Sequence, residues 1–191
     1  MNPASASIAD LAATLASSNR SAREIAAREL FHRGRALADA AISSWRKIPE
    51  IAALISEDAT VGVAVTPARF AKIRAALGNP RLADVPPDQD AEEFEWSLDA
   101  EVRLDILTSR QAGGGAIARF LDKFGEGIQQ VELLAGNVDR VTELLRSRLG
   151  VTPVYPASRE GADGARVNFF LVDAPQSGKV LIELVELRKQ A

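Results

Sequence analysis

The stretch GEGIQQVELLAGNVDRVTELLRSRLG, residues 125–150, decides the fold. Gly125-Glu126-Gly127 ends a preceding helical piece, Ile128 to Ala135 reads as a strand, and Val138 to Leu149 reads as a helix that Gly150 stops. Beyond it lie a strand, Val151 to Tyr155, and a polar turn, Arg159 to Gly164. A strand from Arg166 to Val172, a turn at Pro175-Gln176-Ser177-Gly178 and a strand from Val180 to Val185 complete the run. One strand, one helix and three further strands make a βαβββ module.

The same order stands earlier in the chain. Thr60 to Val65 is a β-branched run closed by Thr66-Pro67, where Thr66 caps and Pro67 starts a helix that ends at Leu77-Gly78. An extended run, Arg81 to Val85, meets the turn Pro86 to Asp90. Strands Glu93 to Leu98 and Val102 to Leu107 follow, joined at Asp99-Ala100. The pairs Leu77-Gly78 and Leu149-Gly150 lie 72 positions apart, so the order of elements repeats although the side chains differ. The expected class is α+β, two tandem βαβββ modules behind an N-terminal helical extension. The expected boundaries are 1–57 for the extension, 58–110 for the first module, 111–127 for a Gly-rich linker with a short helix, and 128–191 for the second module. A module of this kind leaves one sheet face uncovered, and pairing the two copies would close their sheets around a cleft suited to a ligand.

The extension is Ala-rich and helical from Ile8 to about Ile55. Ser21 and Glu24 have capping-box spacing, and Ile25, Leu30, Phe31, Leu37, Ile42 and Trp45 form an apolar stripe that needs a surface to cover. Pro49 opens a short further helical piece to Ser56. Strand alternation puts Trp96 on the opposite face from Glu93 and Glu95, as a partner for the N-terminal helices.

Composition narrows the function. At 191 residues, 47% hydrophobic, the chain can fill a core. A net charge of −3, with Arg scattered among Asp and Glu, lacks the basic footprint that neutralises phosphates, which speaks against nucleic acid. Without cysteine there is no disulfide, thiolate ligand or Cys nucleophile. No signal-peptide pattern and no apolar run of bilayer length is present, so a cytoplasmic protein without a membrane partner is expected. His32, the single histidine, lies among Arg33 and Arg35 on a helix and reads as a helix-face residue. Gly113-Gly114-Gly115 lacks the Lys-Ser/Thr ending of a phosphate loop and reads as a join.

Phe120-Leu121-Asp122-Lys123-Phe124-Gly125-Glu126-Gly127-Ile128, Asn137-Val138-Asp139, Gly164-Ala165-Arg166-Val167-Asn168-Phe169 and Gly178-Lys179-Val180-Leu181-Ile182-Glu183-Leu184 together resemble the second module of methylmalonyl-CoA epimerases. These belong to the vicinal-oxygen-chelate, or glyoxalase, superfamily. The first module is similar in its order of elements and in Val85-Pro86-Pro87-Asp88-Gln89. The resemblance implies a divalent metal held by the first and last strands of each module, which places the ligands at Thr60, Asp105, Gln130 and Glu183. Only Glu183 is of the expected type, and both expected histidines are replaced. An all-oxygen set favours Mg²⁺, Mn²⁺ or Ca²⁺ over Zn²⁺. The resemblance also implies a general base in the third strand of the first module, at Glu93. The expected function is an epimerase, isomerase or lyase that works on a small carboxylate or acyl-thioester through a metal-stabilised enolate. The alternative is a metal-free module that sequesters a small molecule. A homo-oligomer is compatible with exposed sheet edges.

Overall fold

The computed structural model describes residues 5–111, 113–174 and 178–187. The helices are α1 (Ile8–Thr14), α2 (Arg20–Ala41), α3 (Pro49–Ala52), α4 (Pro67–Ala76), α5 (Gly115–Phe124) and α6 (Val138–Leu149). The strands are β1 (Ile55–Ala64), β2 (Ala91–Ser97), β3 (Arg103–Ser109), β4 (Gly127–Ala135), β5 (Arg159–Glu160), β6 (Arg166–Ala174) and β7 (Gly178–Glu186). The α+β class and the glyoxalase-like order of elements are those expected. None of the described helices is long and apolar enough to cross a membrane.

The chain divides into two compact units, one of residues 1–34 with 60–129 and the other of 35–59 with 130–191. The N-terminal segment is thus shared out, its first part to one unit and its second to the other. In the first unit the strand order is β2-β3-β1, with β2 antiparallel and β1 parallel to β3. Register puts Val61 beside Leu104, and Val63 and Phe94 beside Ile106, so these five residues share one face. All five are fully buried, and Phe94 meets Phe70 of α4 at 5.1 Å between ring centroids. Gly34 of α2 comes so close that a Cβ there would meet Val61 Cγ1 at 2.5 Å. Trp96 lies on this face, half-buried and opposite in direction to Glu93 and Glu95, as alternation requires.

In the second unit the order is β4-β7-β6-β5, with β4 and β7 parallel and the rest antiparallel. Val131, Leu133, Phe170, Ile182 and Leu184 share the apolar face. Val141 and Leu145 of α6 are buried with them, and Trp45 packs edge-on against Phe170 at 5.5 Å. Trp45 is therefore a core residue, as its place in the stripe predicts. Helix α6 matches its expected bounds. Gly150 ends it with φ +65°, and its amide bonds back to the carbonyls of Leu145 and Arg146.

Several local expectations are corrected. Residues 81–85 and 151–155 form no strand. Each segment contributes a single backbone–backbone bond to its neighbour, Ala83 N–H to the Glu93 carbonyl at 2.9 Å and Val154 N–H to the Phe169 carbonyl at 2.7 Å. Pro80, Pro86 and Pro87 flank the first segment, and Pro153 and Pro156 lie in or beside the second. Pro153 has no N–H to give a ladder, and the flanking prolines restrict the backbone at the ends of both segments. The short strand β5 forms instead inside the expected turn at Arg159.

Helix α2 is capped by Asn19, whose Oδ1 accepts from Ala22 N–H at 3.1 Å, while Glu24 pairs with Arg20. The helix starts one residue before Ser21, which puts Ser21 inside the first turn rather than at the cap. Ile25 is 50% exposed. The buried stripe runs instead through Ala26, Ala27, Leu30, Phe31, Ala38, Ala41 and Ile42, whose small members let the helix approach a sheet closely. The helical piece from Pro49 ends at Ala52, and β1 begins already at Ile55. Of the expected turn 175–178, the first three residues lie outside the described ones.

Candidate functional site

In the first unit the residues expected to act lie on the face opposite Phe70 and Phe94. Asp105 stands beside Gly62 of β1 and opposite Glu95 of β2. Directly paired residues on neighbouring strands point the same way, and so do residues two apart on one strand, so Thr60, Asp105, Glu93 and Glu95 share this face. Thr60 is 9% exposed and Asp105 5%. Glu95, not Glu93, occupies the rung of Asp105. Glu93 faces Leu107 one step along, half-buried where the 81–85 segment crosses its carbonyl. Glu95 is exposed and accepts a weak bond from Ser97 Oγ at 3.4 Å. Arg103, two residues before Asp105, adds a half-buried cation to the same face. Alternation in the sequence carries that signal, since a residue two before Asp105 on one strand shares its face.

In the second unit Gln130 of β4 and Glu183 of β7 come together. The Gln130 amide nitrogen donates to Glu183 Oε2 at 2.6 Å and, more weakly, to Glu132 Oε1 at 3.2 Å. Gln130 is 6% and Glu183 8% exposed. Glu132 lies beside Glu183 in the β4–β7 register, and Phe169 lies opposite it on β6. Glu132 was not singled out from sequence, although it follows Gln130 by two and must share its face. From Phe169 an aromatic stack continues, with Tyr155 edge-on at 5.9 Å and the Arg159 guanidinium 4.9 Å above the tyrosine ring. The polar end of β4 and β7 thus passes into an aromatic surface.

A separate open groove of about 860 Å³ lies at the other end of this unit. Leu54 and Ile55, the ends of β4 and β7 at Leu134 to Gly136 and Val185 to Leu187, and the β5–β6 turn line it. Neither Gln130 nor Glu183 takes part in it. His32 is exposed on α2, against the edge of Phe31.

The donor chemistry tests whether a metal suits these residues. Without imidazole or thiolate the set is not one for zinc, cobalt or nickel. Among the described residues no group of three or more His, Cys, Asp or Glu side chains is arranged to hold a metal ion. Beside Glu183, moreover, the carboxylate oxygen is already met by an amide N–H rather than by an acceptor that would share a cation. The residues do not fit a resident divalent ion, and no step below passes through one.

These two sets of strands, each flanked by a helix following its first strand, define a glyoxalase-like α+β protein. No family model and no curated protein matches the chain, but solved structures do. The methylmalonyl-CoA epimerase of Mycobacterium tuberculosis is 30% identical, over 71% of this chain and 89% of that one, with a TM-score of 0.56. A Streptomyces coelicolor methylmalonyl-CoA epimerase variant, solved in complex with 2-nitronate-propionyl-CoA, is 26% identical over 70% of this chain and 94% of that one, with a TM-score of 0.52. A methylmalonyl-CoA epimerase in complex with methylmalonyl-CoA and NH4+ gives the same identity, coverage and score. The chain belongs to the vicinal-oxygen-chelate superfamily, as those epimerases do.

Proposed function

We propose that this protein takes a small carboxylate or acyl-thioester and exchanges the proton α to its carbonyl, as an epimerase-like member of the superfamily. One observation carries the reading: the chain is 30% identical to a methylmalonyl-CoA epimerase and keeps, at the last strand of its second module, a buried carboxylate anchored by hydrogen bonding, Glu183. Glu93 is the proposed base. Its carboxylate takes the α-proton, the C–H pair becomes the C=C bond of an enolate as the carbonyl π pair moves onto oxygen, and return of a proton to the same carbon re-forms the carbonyl and completes the exchange. A half-buried carboxylate beside the 81–85 segment suits this better than Glu95, which is exposed to water.

Incubation in D₂O with methylmalonyl-CoA, followed by mass spectrometry, tests the proposal. Deuterium should enter the α position, and Glu93→Gln should slow entry by about 10²-fold or more. A second reading is favoured by the way the Gln130 amide occupies Glu183: the protein binds the thioester without transforming it. Ligand would then raise Tm, following RT ln(1 + [L]/Kd), while no deuterium enters.

A further inference from the structure

We infer that Gln130 is a positioning residue that does at Glu183 what a metal ion does in a metal-bearing site: it holds one carboxylate in a fixed direction beside a second. Glu132 and Glu183 are register partners on adjacent parallel strands, so their side chains rise together from one face. Two carboxylates so placed repel unless something positive or hydrogen-bond-donating stands between them. The Gln130 amide nitrogen bonds to both, at 2.6 and 3.2 Å.

The orientation of that amide is decided by its neighbours. Turned over, it would present its carbonyl oxygen to two carboxylate oxygens, three acceptors facing one another, an arrangement that needs a cation or a proton on one carboxyl to hold it. With the NH₂ inward, two hydrogen bonds to charged acceptors form and no ion is called for. A metal that took Gln130 as a ligand would have to break both bonds and turn the amide, because only the amide's carbonyl oxygen can bind a cation. Near-complete burial of both side chains makes that exchange costlier, since neither group can turn to water meanwhile. The inference stands on the second unit alone and is independent of which ligand the protein takes.

Three measurements on the full chain test it. In ¹⁵N-labelled protein titrated with Mn²⁺, the side-chain NH₂ pair of Gln130, assigned through its own Cγ, should stay sharp at one equivalent of the ion. EDTA should leave the wild-type Tm unchanged. Gln130→Met should melt several degrees lower, and neither Mn²⁺ nor Mg²⁺ should restore it. Broadening of the Gln130 pair at substoichiometric Mn²⁺, a Tm that falls with EDTA and returns with metal, or a Gln130→Met protein that melts with the wild type would each overturn the inference. If Gln130→Met does not fold, the wild-type titration decides alone. None of these readouts uses substrate or turnover, so failure of the proposed reaction leaves the result intact.

Discussion

Glu126 caps α4 from sixty residues away: its Oε1 accepts from the backbone N–H of Thr66 at 3.1 Å and from the Thr66 hydroxyl at 2.7 Å. Thr66 has the spacing of an ordinary N-cap, yet its own side chain caps nothing. Its hydroxyl is turned outward as a donor, and a remote carboxylate sits at the positive end of the helix in its place. Arg69, in the first turn, pairs with the same carboxylate at 3.2 Å, and Glu126 is only 12% exposed.

Removing that carboxylate should loosen α4. Glu126→Ala is expected to cost about 1–2 kcal/mol, the range for losing a helix cap with charged hydrogen bonds. Glu126→Gln, which keeps an acceptor but not the charge, should cost less. Urea unfolding of both variants checks the order, and equal stabilities would refute the role assigned to the charge.

Trp45 and Phe170 anchor the core of the second unit, each almost fully buried. Trp45→Ala should destabilise by about 3–5 kcal/mol through the cavity it leaves. In a double-mutant cycle with Phe170→Leu, the edge-on ring contact should appear as a coupling of about 0.5–1.5 kcal/mol.

Gly34 is required by space. A methyl group there would lie 2.5 and 2.7 Å from the two γ carbons of Val61, which is fully buried and cannot swing aside. Gly34→Ala should therefore lower stability by about 1–3 kcal/mol, despite alanine's better helix propensity. Thermal melts of this variant beside Gly34→Ala/Val61→Ala should show the second change recovering part of the loss.

Asp99, in the turn between β2 and β3, is held below the usual carboxylate range, chiefly by the backbone N–H of Val102 and then by that of Glu101. Arg28, 2.8 Å away, adds to the shift, and slight desolvation opposes it. A carboxyl whose folded pKa is depressed stabilises fully above its unfolded pKa and loses that contribution as pH falls through the folded one. The stability gap between wild type and Asp99→Asn should be constant near neutrality and close as pH drops below about 4. A gap that widens on acidification would contradict the assignment.

The elements most legible in the sequence are those whose cause is local. Gly150 ends α6 because a left-handed residue after a helix costs glycine little, and that can be read from one position. Strands β4, β6 and β7 likewise lie where they are read, longer by one or two residues at their ends. Residues 81–85 and 151–155 read as extended runs in the sequence, but a strand is defined by its partner's hydrogen bonds, and each segment makes one backbone bond to its neighbouring strand. The cap of α2 moved from Ser21 to Asn19 because both types cap well, and the choice depends on where the first turn closes.

What this chain's sequence settled is the α+β class, the strand-then-helix start of each half and the identity of the polar residues its strands carry, since period and turn chemistry act over a few neighbours. Tertiary structure alone decided which carboxylate shares a rung with Asp105, which donor meets Glu183 and which residue caps α4. Each of these depends on the register between strands, or on side chains brought together across some fifty or sixty residues, and no local pattern carries that information.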